Sequence, residues 1–396
     1  MVDRKTVDVF MGTRPEAIKM APVVAALKRH GRLRCRVICT GQHREMFHQV
    51  ARELGFTVDA DLDTMQANQT LAGLTARLMQ KIDEWLEGGH PHMALVQGDT
   101  TTVFVAALAC FYRGIPIGHV EAGLRTASIL APFPEELNRR LASRIASLHF
   151  APTRSARAAL LDEGVSEEAI EVTGNTVVDA LFMELSRQAD PTVRSGIEAS
   201  LSVAIGSDWA TRPFVLITGH RRESFGEGFE QICRAIRTLA LRYPEYRFVY
   251  PVHLNPNVQR PVNRLLKGIS NVALIAPQGY PNFVAMMNRC KLILTDSGGV
   301  QEEAPSLGKP VLVMRETTER PEGIEAGTAR LVGAAETGIV QNTIRLLEEP
   351  RAYDAMAKMV NPYGDGRAAD RIVARIEQFF SYSASVGLRR ACLSTS

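Results

Sequence analysis

The sequence has little imbalance of charge and no long apolar run. Its 396 residues carry 46 basic and 43 acidic side chains, a net charge of +3, which argues against a nucleic-acid-binding arm or an acidic tail. The longest apolar run, Val103 to Tyr112, is about half of a membrane-spanning length. The first ten residues carry charges where a signal peptide needs an apolar core. We therefore expect a globular protein of the cytoplasm.

Cysteine is also scarce, and the sequence has no C-x-x-C pair. Most of the six cysteines fall within apolar strand or helix patterns, so we expect reduced thiols in the core. Asp59, Asp61 and Asp63 resemble a D-x-D metal motif, but acids in a loop are common. His43 and His48 lack further soft ligands at zinc spacing. The sequence therefore predicts no metal site.

Runs of Val, Ile and Leu alternate with longer helical patterns, and this alternation occurs twice, before and after a polar stretch at residues 202–212. The pattern predicts βαβ units and parallel sheets. The predicted strands are Val7–Met11, Arg34–Thr40, Met93–Gln97, Ile115–Val120, Leu148–Ala151, Glu171–Thr173, Phe214–Thr218, Arg247–Val252, Val272–Ile275, Leu292–Thr295 and Pro310–Met314. The last helical pattern is Arg367–Phe380.

The length of the chain suits two domains. We predict an α/β protein with two Rossmann-like domains that face a cleft. The first domain is residues 1–175, and a helix within 364–396 packs back on it. The second domain is residues 176–363.

Ligands of open α/β sheets bind at the carboxyl ends of the strands, and acids follow three predicted elements of the first domain. Asp99 and Glu121 follow neighbouring strands, and Glu135 with Glu136 opens a helix. Asp99 alternatively caps the next helix, and the glutamate pair alternatively interacts with the helix dipole. Three acids at one cleft would suit general acid–base chemistry, because crowded carboxylates raise one another's pKa.

Cations accompany a Gly turn after the first strand, where Arg14 and Lys19 either meet an anion at the helix start or lie on an amphipathic surface. In the second domain, His220 follows a strand and suits phosphate binding or proton transfer. Ser297, Gly298 and Gly299 open a helix that suits a diphosphate, with Glu303 placed for ribose hydroxyls; a flexible glycine loop is the alternative. Gln278 and Phe283 suit contacts with a nucleobase; alternatively, Phe283 packs in the core.

Taken together, these segments resemble the motifs of the non-hydrolysing UDP-N-acetylglucosamine 2-epimerases, in the order of that family, from about residue 7 to about residue 335. The matching segments are residues 11–16, 41–44, 97–100, 121–126, 134–136, 173–175, 219–223, 251–256, 296–299 and 317–321. The resemblance implies a fold shared with the GT-B glycosyltransferases and a homodimer. It also implies interconversion of UDP-GlcNAc and UDP-ManNAc without metal or NAD, for bacterial surface polysaccharide.

The resemblance also implies a role for individual residues. Asp99, Glu121 and Glu135 are the acid–base candidates, and His220 is the candidate that favours departure of UDP. The implied substrate contacts are Arg14, Lys19, Asp99, Glu121, His220, Gln278, Phe283, Ser297, Gly298, Gly299, Glu303 and Arg320. Gln42 and His253 match positions at which some members bind a second UDP-GlcNAc as activator, whereas Asn68 stands where those members usually have Arg.

Three other activities remain as alternatives. A hydrolysing epimerase has the same fold and releases UDP with free N-acetylmannosamine. A GT-B glycosyltransferase shares the nucleotide site, but the first domain places acids where an open acceptor groove would be. A non-catalytic sensor of the sugar nucleotide would have no use for three clustered carboxylates.

Overall fold

The computed structural model describes residues 4–41, 44–66, 69–221 and 225–393, with side chains described as far as residue 382. The chain divides into two compact units. The first consists of Met1–Ala180 together with Gly364–Ser396, and the second is Leu181–Tyr363. Each unit is a parallel sheet with helices between its strands, as the alternating pattern predicts.

The sheet of the first unit has seven strands in the order β3-β2-β1-β4-β5-β6-β7. They are β1 (Lys5–Met11), β2 (Leu33–Cys39), β3 (Ala60–Asp61), β4 (Met93–Gln97), β5 (Ile117–Val120), β6 (Leu148–Ala151) and β7 (Ile170–Val172). The sheet of the second unit has the order β10-β9-β8-β11-β12-β13. Its strands are β8 (Phe214–Thr218), β9 (Arg247–Pro251), β10 (Val272–Ile275), β11 (Leu292–Thr295), β12 (Val311–Val313) and β13 (Ala329–Leu331).

In both sheets the third, second, first and fourth strands are neighbours in that order, as in the Rossmann fold. The reversal of strand order therefore falls between β1 and β4 in the first unit and between β8 and β11 in the second. Because the central strands are covered by helices on both faces, they are nearly continuous apolar runs. All five residues of β4 are buried.

Helices connect the strands in each unit. They are α1 (Arg14–Arg29), α2 (Arg44–Glu53), α3 (Leu71–Gly88), α4 (Thr101–Tyr112), α5 (Glu135–Ile145), α6 (Arg154–Asp162), α7 (Thr176–Arg187), α8 (Pro191–Ile205), α9 (Glu227–Arg242), α10 (Pro256–Leu266), α11 (Tyr280–Arg289), α12 (Gly298–Glu303), α13 (Pro321–Glu325), α14 (Glu336–Glu348), α15 (Pro350–Ala357) and α16 (Ala368–Leu393). No helix within the described part of the chain combines the length and the apolar character that a bilayer span needs.

Several predicted boundaries differ from the structure. β5 begins at Ile117 rather than Ile115, because Pro116 has no N–H to donate to a neighbouring strand. β3 and β13 were not predicted, since β3 has only two residues and β13 has an arginine between its two apolar residues. The last helix was predicted to end at Phe380, but α16 continues to Leu393.

The chain after residue 363 returns to the first unit. The Asp179 carboxylate accepts hydrogen bonds from the backbone N–H groups of Ala368 and Ala369, at 3.1 and 2.8 Å, and so caps the start of α16. Further along, Glu377 of α16 pairs with Arg32 at 3.0 Å. These contacts attach α16 to the elements of residues 1–180.

Candidate active site

Glu121 lies just beyond β5 and is a tightly held acid of the first unit. It is buried, and its backbone adopts a φ of +62°, which is uncommon for a residue other than glycine and often marks a functional position. Its Oε1 accepts from Lys19 Nζ at 2.6 Å and from Asn175 Nδ2 at 3.1 Å. Its Oε2 accepts from Gln97 Nε2. Donors on both oxygens therefore hold the carboxylate in a single orientation.

Asp99 follows β4, the neighbour of β5 in the sheet. Its Oδ2 accepts from Arg139 Nη2 at 2.6 Å, and its backbone carbonyl accepts from Asn138 Nδ2 at 2.9 Å. The cap of α4 is Thr100, whose hydroxyl accepts from the Val103 N–H. The interpretation of Asp99 as a helix cap is therefore wrong, and its partly exposed side chain is available for another use.

The two adjacent glutamates at the start of α5 have different surroundings. Glu136 is fully buried and accepts from Arg140 Nε at 2.7 Å, from Arg139 Nη1 at 3.2 Å and from the Thr126 N–H at 3.1 Å. Glu135 is half-buried, and within the described residues no hydrogen bond or ion pair holds it. Glu136 is thus a structural anchor, while Glu135 keeps a carboxylate that can turn towards a ligand.

Arg14 and Lys19 both belong to α1, whose start is held by Glu16. The Glu16 carboxylate accepts from the backbone N–H groups of Gly12 and Thr13 at 2.9 and 2.7 Å, and from the Thr100 hydroxyl at 2.7 Å. With the Thr13 hydroxyl it forms a capping box. Burial raises the pKa of Glu16. This side chain therefore links the turn after β1 to the turn after β4, next to Asp99.

His119, on β5, holds the turn after β4. It is fully buried, and its Nε2–H donates to the carbonyl oxygen of Gly98 at 2.7 Å. Gly98 has a φ of +81°, and a Cβ there would lie 3.7 Å from Glu121 Oε2. The imidazole thus fixes the residue that separates β4 from Asp99.

Burial lowers the pKa of His119 to about 4, and this predicts a loss of stability in acid. An unfolded histidine takes up a proton near pH 6.5, but the folded His119 does not, so folding free energy is lost as the pH falls from about 6.5 towards 4. One such group costs about 2 kcal/mol between pH 7 and pH 5. Urea unfolding at these two pH values should show a smaller difference for His119→Gln than for the unsubstituted protein. An equal difference would contradict the assignment.

In the second unit, β8 and β11 are paired neighbours, and the residues beyond them lie together. The Asp296 Oδ2 accepts from the backbone N–H groups of His220 and Arg221 at 2.6 and 2.7 Å. The His220 ring is partly exposed and stacks on His253, with ring centres 5.2 Å apart and planes 14° apart. Burial lowers the pKa of His220, the nearby His253 and Arg221 lower it further, and Asp296 opposes them.

Ser297, Gly298 and Gly299 form the turn into α12. The Ser297 N–H donates to Thr295 Oγ1 at 2.9 Å, whereas the N–H groups of the first helical turn have no partner within a helix. A Cβ on Gly298 would lie 3.7 Å from Arg320 Nη2, so the guanidinium stands close to this turn. Arg320 Nε donates to the buried Glu302. The turn and Arg320 together can hold an anion.

Glu303, at the end of α12, accepts from the Tyr280 hydroxyl at 2.7 Å and is buried. A Cβ on Gly299 would lie 3.9 Å from Glu303 Oε2, so the carboxylate stands beside the glycine turn. Gln278 and Phe283 flank the start of α11. Gln278 Oε1 accepts from Asn282 Nδ2 at 2.9 Å, and Phe283 is half-buried. The structure therefore places Glu303 beside the glycine turn. The two candidate contacts of the nucleobase lie at the start of α11.

The two candidate activator positions differ in what can be described. Gln42 lies outside the described residues, as do Asn68 and His43. His253 is exposed, and its Nδ1 accepts from the Asn255 N–H at 3.1 Å. Its stacking on His220 was not foreseen from the sequence.

Cys39, His48 and Asp61 bring their side chains together, with possible ligand atoms within 4.8 Å of one another. Asp61 Oδ2 already accepts from Arg44 Nε and His48 Nε2, both at 2.8 Å. Burial raises the pKa of the Cys39 thiol to about 12. The ion pair between Asp61 and Arg44 accounts for the position of the Asp61 carboxylate without a metal. Cys35, Cys39, Cys110, Cys233 and Cys290 are free thiols.

Sequence reasoning missed the side chains that hold the candidate site residues. They are Gln97, Arg139 and Asn175 in the first unit, and Asp296 and Tyr280 in the second. Gln97 and Asp296 directly follow or end apolar runs, so the rule that selected Asp99 and His220 also applies to them. The capping box of Thr13 and Glu16 had a readable sequence signature as well.

A doubly wound α/β unit with acids at its strand ends, and a second one with a histidine, a glycine turn and an arginine at its own, define a two-domain enzyme of the GT-B-like class. The chain belongs to the UDP-N-acetylglucosamine 2-epimerase family, whose model matches residues 25–377.

Individual relatives agree with this assignment. A probable UDP-N-acetylglucosamine 2-epimerase of Ralstonia solanacearum is 51% identical over 95% of this chain and 100% of its own length. The UDP-N-acetylglucosamine 2-epimerase of Escherichia coli K12 is 50% identical over 94% of this chain and 98% of its own. The crystal structure of the Neisseria meningitidis UDP-GlcNAc 2-epimerase bound to UDP-GlcNAc is 46% identical, with a TM-score of 0.87, and covers 94% of this chain and 100% of that one.

Proposed function

We propose that this protein is a non-hydrolysing epimerase, which interconverts UDP-GlcNAc and UDP-ManNAc by eliminating UDP and adding it back. The observation that carries the proposal is Glu121, a buried carboxylate held beyond a strand end by Lys19, Asn175 and Gln97. Such a fixed acid next to Asp99 suits proton transfer, and a sensor or a simple binding protein has no need of it.

The chemistry explains why several acids are needed. The C2 hydrogen of the sugar is not next to a carbonyl, so a base removes it as the C1–O bond breaks and UDP leaves with the bonding electron pair. The product is 2-acetamidoglucal. UDP oxygen then attacks C1, and an acid returns a proton to the other face of C2. No step of this elimination and re-addition oxidises the sugar or transfers a hydride, so the proposal requires no nicotinamide cofactor.

Each candidate residue has a place in this scheme. Asp99, Glu121 and Glu135 take and return the C2 proton, and Arg14 and Lys19 meet the sugar and phosphates. Ser297, Gly298, Gly299 and Arg320 bind the diphosphate, since backbone N–H groups and a guanidinium suit its charge. Glu303 accepts from the ribose hydroxyls, and Gln278 with Phe283 contacts the uracil. His220 stabilises the departing UDP.

The bound ligands of solved relatives support the substrate. One is the Neisseria meningitidis enzyme with UDP-GlcNAc. The Methanocaldococcus jannaschii enzyme was solved in complex with UDP-GlcNAc and UDP; it is 31% identical, with a TM-score of 0.78, and covers 94% of this chain and 99% of that one. We extend this binding to the present chain by the match of its motifs.

Solvent deuterium tests the proposal directly. When the protein turns over UDP-GlcNAc in heavy water, nuclear magnetic resonance should show deuterium at C2 of the recovered UDP-GlcNAc and UDP-ManNAc. The returned proton comes from an acid that exchanges with solvent, so the label enters both epimers. Absence of label would refute the proposal. Free N-acetylmannosamine released in equal amount to UDP would select the hydrolysing reaction, and transfer of GlcNAc to an acceptor would select a glycosyltransferase.

The proposal includes a cytoplasmic homodimer that supplies ManNAc units for bacterial surface polysaccharide. Gln42 and His253 match positions of the activator site, whereas Asn68 departs from the Arg usual there, so the proposal does not extend to activation by a second UDP-GlcNAc. Light scattering checks the mass of the dimer, and a sigmoidal dependence of rate on UDP-GlcNAc would indicate activation.

A further inference from the structure

Asp296 is a fully buried carboxylate whose two oxygens have different surroundings. Oδ2 accepts from the backbone N–H groups of His220 and Arg221. Oδ1 is buried as well and has no hydrogen-bond partner among the described residues. His220 Nδ1 lies 3.4 Å from this oxygen. An unpaired buried carboxylate oxygen is costly, so a donor is expected to approach it.

The backbone explains why these two residues face each other. Thr295, the last residue of β11, pairs with Thr218, the last residue of β8. The Asp296 N–H still donates to the Thr218 carbonyl at 3.1 Å. Asp296 is therefore the first residue after the paired ends of β8 and β11. It lies against the turn that leaves β8 through Gly219. A rotation of the His220 ring by a small angle would bring Nδ1–H into hydrogen-bond range of Oδ1.

We propose that Asp296 is a positioning residue that acts through His220: Oδ2 holds the turn, and Oδ1 accepts from Nδ1–H, so that Nε2 faces the leaving UDP. The two ring nitrogens lie on opposite sides of the imidazole, so a bond at Nδ1 to a buried acid directs Nε2 towards the exposed side. A carboxylate at this distance also stabilises the imidazolium that would meet the diphosphate. The inference rests on the proposed role of His220 in UDP departure.

The other charged groups around His220 act against its protonation. Burial, the stacked ring of His253 and the guanidinium of Arg221 all disfavour the cation. Arg221 is itself 3.8 Å from Glu319, which is held by Arg315. Asp296 is the acid that favours the charged imidazole. Its removal should therefore lower the pKa of His220 further.

The substitution Asp296→Asn separates this role from a structural one. The asparagine side-chain oxygen can still accept from the N–H groups of His220 and Arg221, so the turn keeps its bonds. Its amide nitrogen is a donor, however, and cannot accept from Nδ1–H. The charge of Asp296 by itself raises the pKa of His220, so the tautomer of neutral His220 is the measurement that separates positioning of the ring from a charge effect.

The experiment is a pH titration followed by nitrogen-15 resonances of labelled histidine, with His220→Asn used to assign the signal. In the unsubstituted protein, neutral His220 should carry its proton on Nδ1. In Asp296→Asn the pKa of His220 should fall by about one unit or more. The same variant should lose most of its kcat with little change in KM. As the pH is raised, its kcat should begin to fall at a lower pH than the kcat of the unsubstituted protein does. Asp208→Asn is the control. Asp208 is a carboxylate paired with Arg247, at the end of β9 away from His253, and its substitution should change neither the pKa of His220 nor kcat.

The outcomes distinguish the role of Asp296 from the role of His220. If neutral His220 carries its proton on Nε2, or if Asp296→Asn leaves the pKa of His220 unchanged, the inference about Asp296 is wrong. The tautomer needs no variant, so it decides the question even if Asp296→Asn folds poorly. If His220→Asn epimerises UDP-GlcNAc at the unsubstituted rate, the proposed role of His220 fails first, whatever Asp296 does.

Discussion

Replacing Glu121 with glutamine is expected to slow epimerisation by about 10²- to 10⁴-fold, the usual range for loss of a general acid or base. Glutamine has nearly the same shape and can still accept from Lys19 and Asn175, but it cannot take a proton from C2. The rate at which solvent deuterium enters the sugar should therefore fall by a similar factor. Affinity for UDP should change little, because most of the proposed UDP contacts belong to the second unit and the glutamine oxygen still accepts from Lys19.

Turnover, deuterium wash-in and calorimetric binding of UDP measure these three quantities. Glu163→Gln is a matched control, since Glu163 is also a paired carboxylate of the first unit, bound to Arg125 at 2.7 Å. The control should retain full activity. Normal turnover and normal wash-in by Glu121→Gln would remove Glu121 from the proton transfer.

The adjacent pair Glu135 and Glu136 should give opposite results when each is changed to alanine. Glu136→Ala leaves the buried Arg139 without one of its carboxylates, and breaking such a pair costs about 3–5 kcal/mol of unfolding free energy. Glu135→Ala removes only a helix-dipole interaction, worth about 1 kcal/mol or less. Its turnover should nevertheless fall by about 10²- to 10⁴-fold.

Urea unfolding and initial rates on the two variants test this contrast, and each variant is the control for the other. Equal stability of the two would contradict the anchoring role of Glu136. An active Glu135→Ala would remove Glu135 from the chemistry and leave Asp99 and Glu121 as the acid–base pair.

The order of the elements and the ends of the central strands were predictable, because buried parallel strands are apolar runs that stop abruptly at polar residues. β4, β6, β8, β10 and β11 have the predicted bounds. The candidate acids were found in the same way, since Asp99 and Glu121 directly follow such runs. The family resemblance added the roles of individual residues.

The partners of those acids could not be predicted, because they come from distant parts of the chain. Arg139 is 40 residues from Asp99, and Asn175 is 54 residues from Glu121. The stacking of His253 on His220 likewise depends on how two turns meet. Local patterns do not encode such pairings. Glu136 does pair locally, with Arg139 and Arg140, but Glu135 is also four residues from Arg139, so the structure was needed to tell the two glutamates apart.

The first unit is assembled from two separate parts of the chain, and this has a consequence for synthesis. The partners of Asp179, Arg29 and Arg32 lie in α16, which leaves the ribosome after the whole of the second unit. Domains generally fold during translation from the N-terminus onward. Here the second unit, which is continuous in sequence, can complete its fold while the first still lacks its final helix. A chain interrupted before residue 364 would therefore carry a finished second unit and a first unit with α1 uncovered.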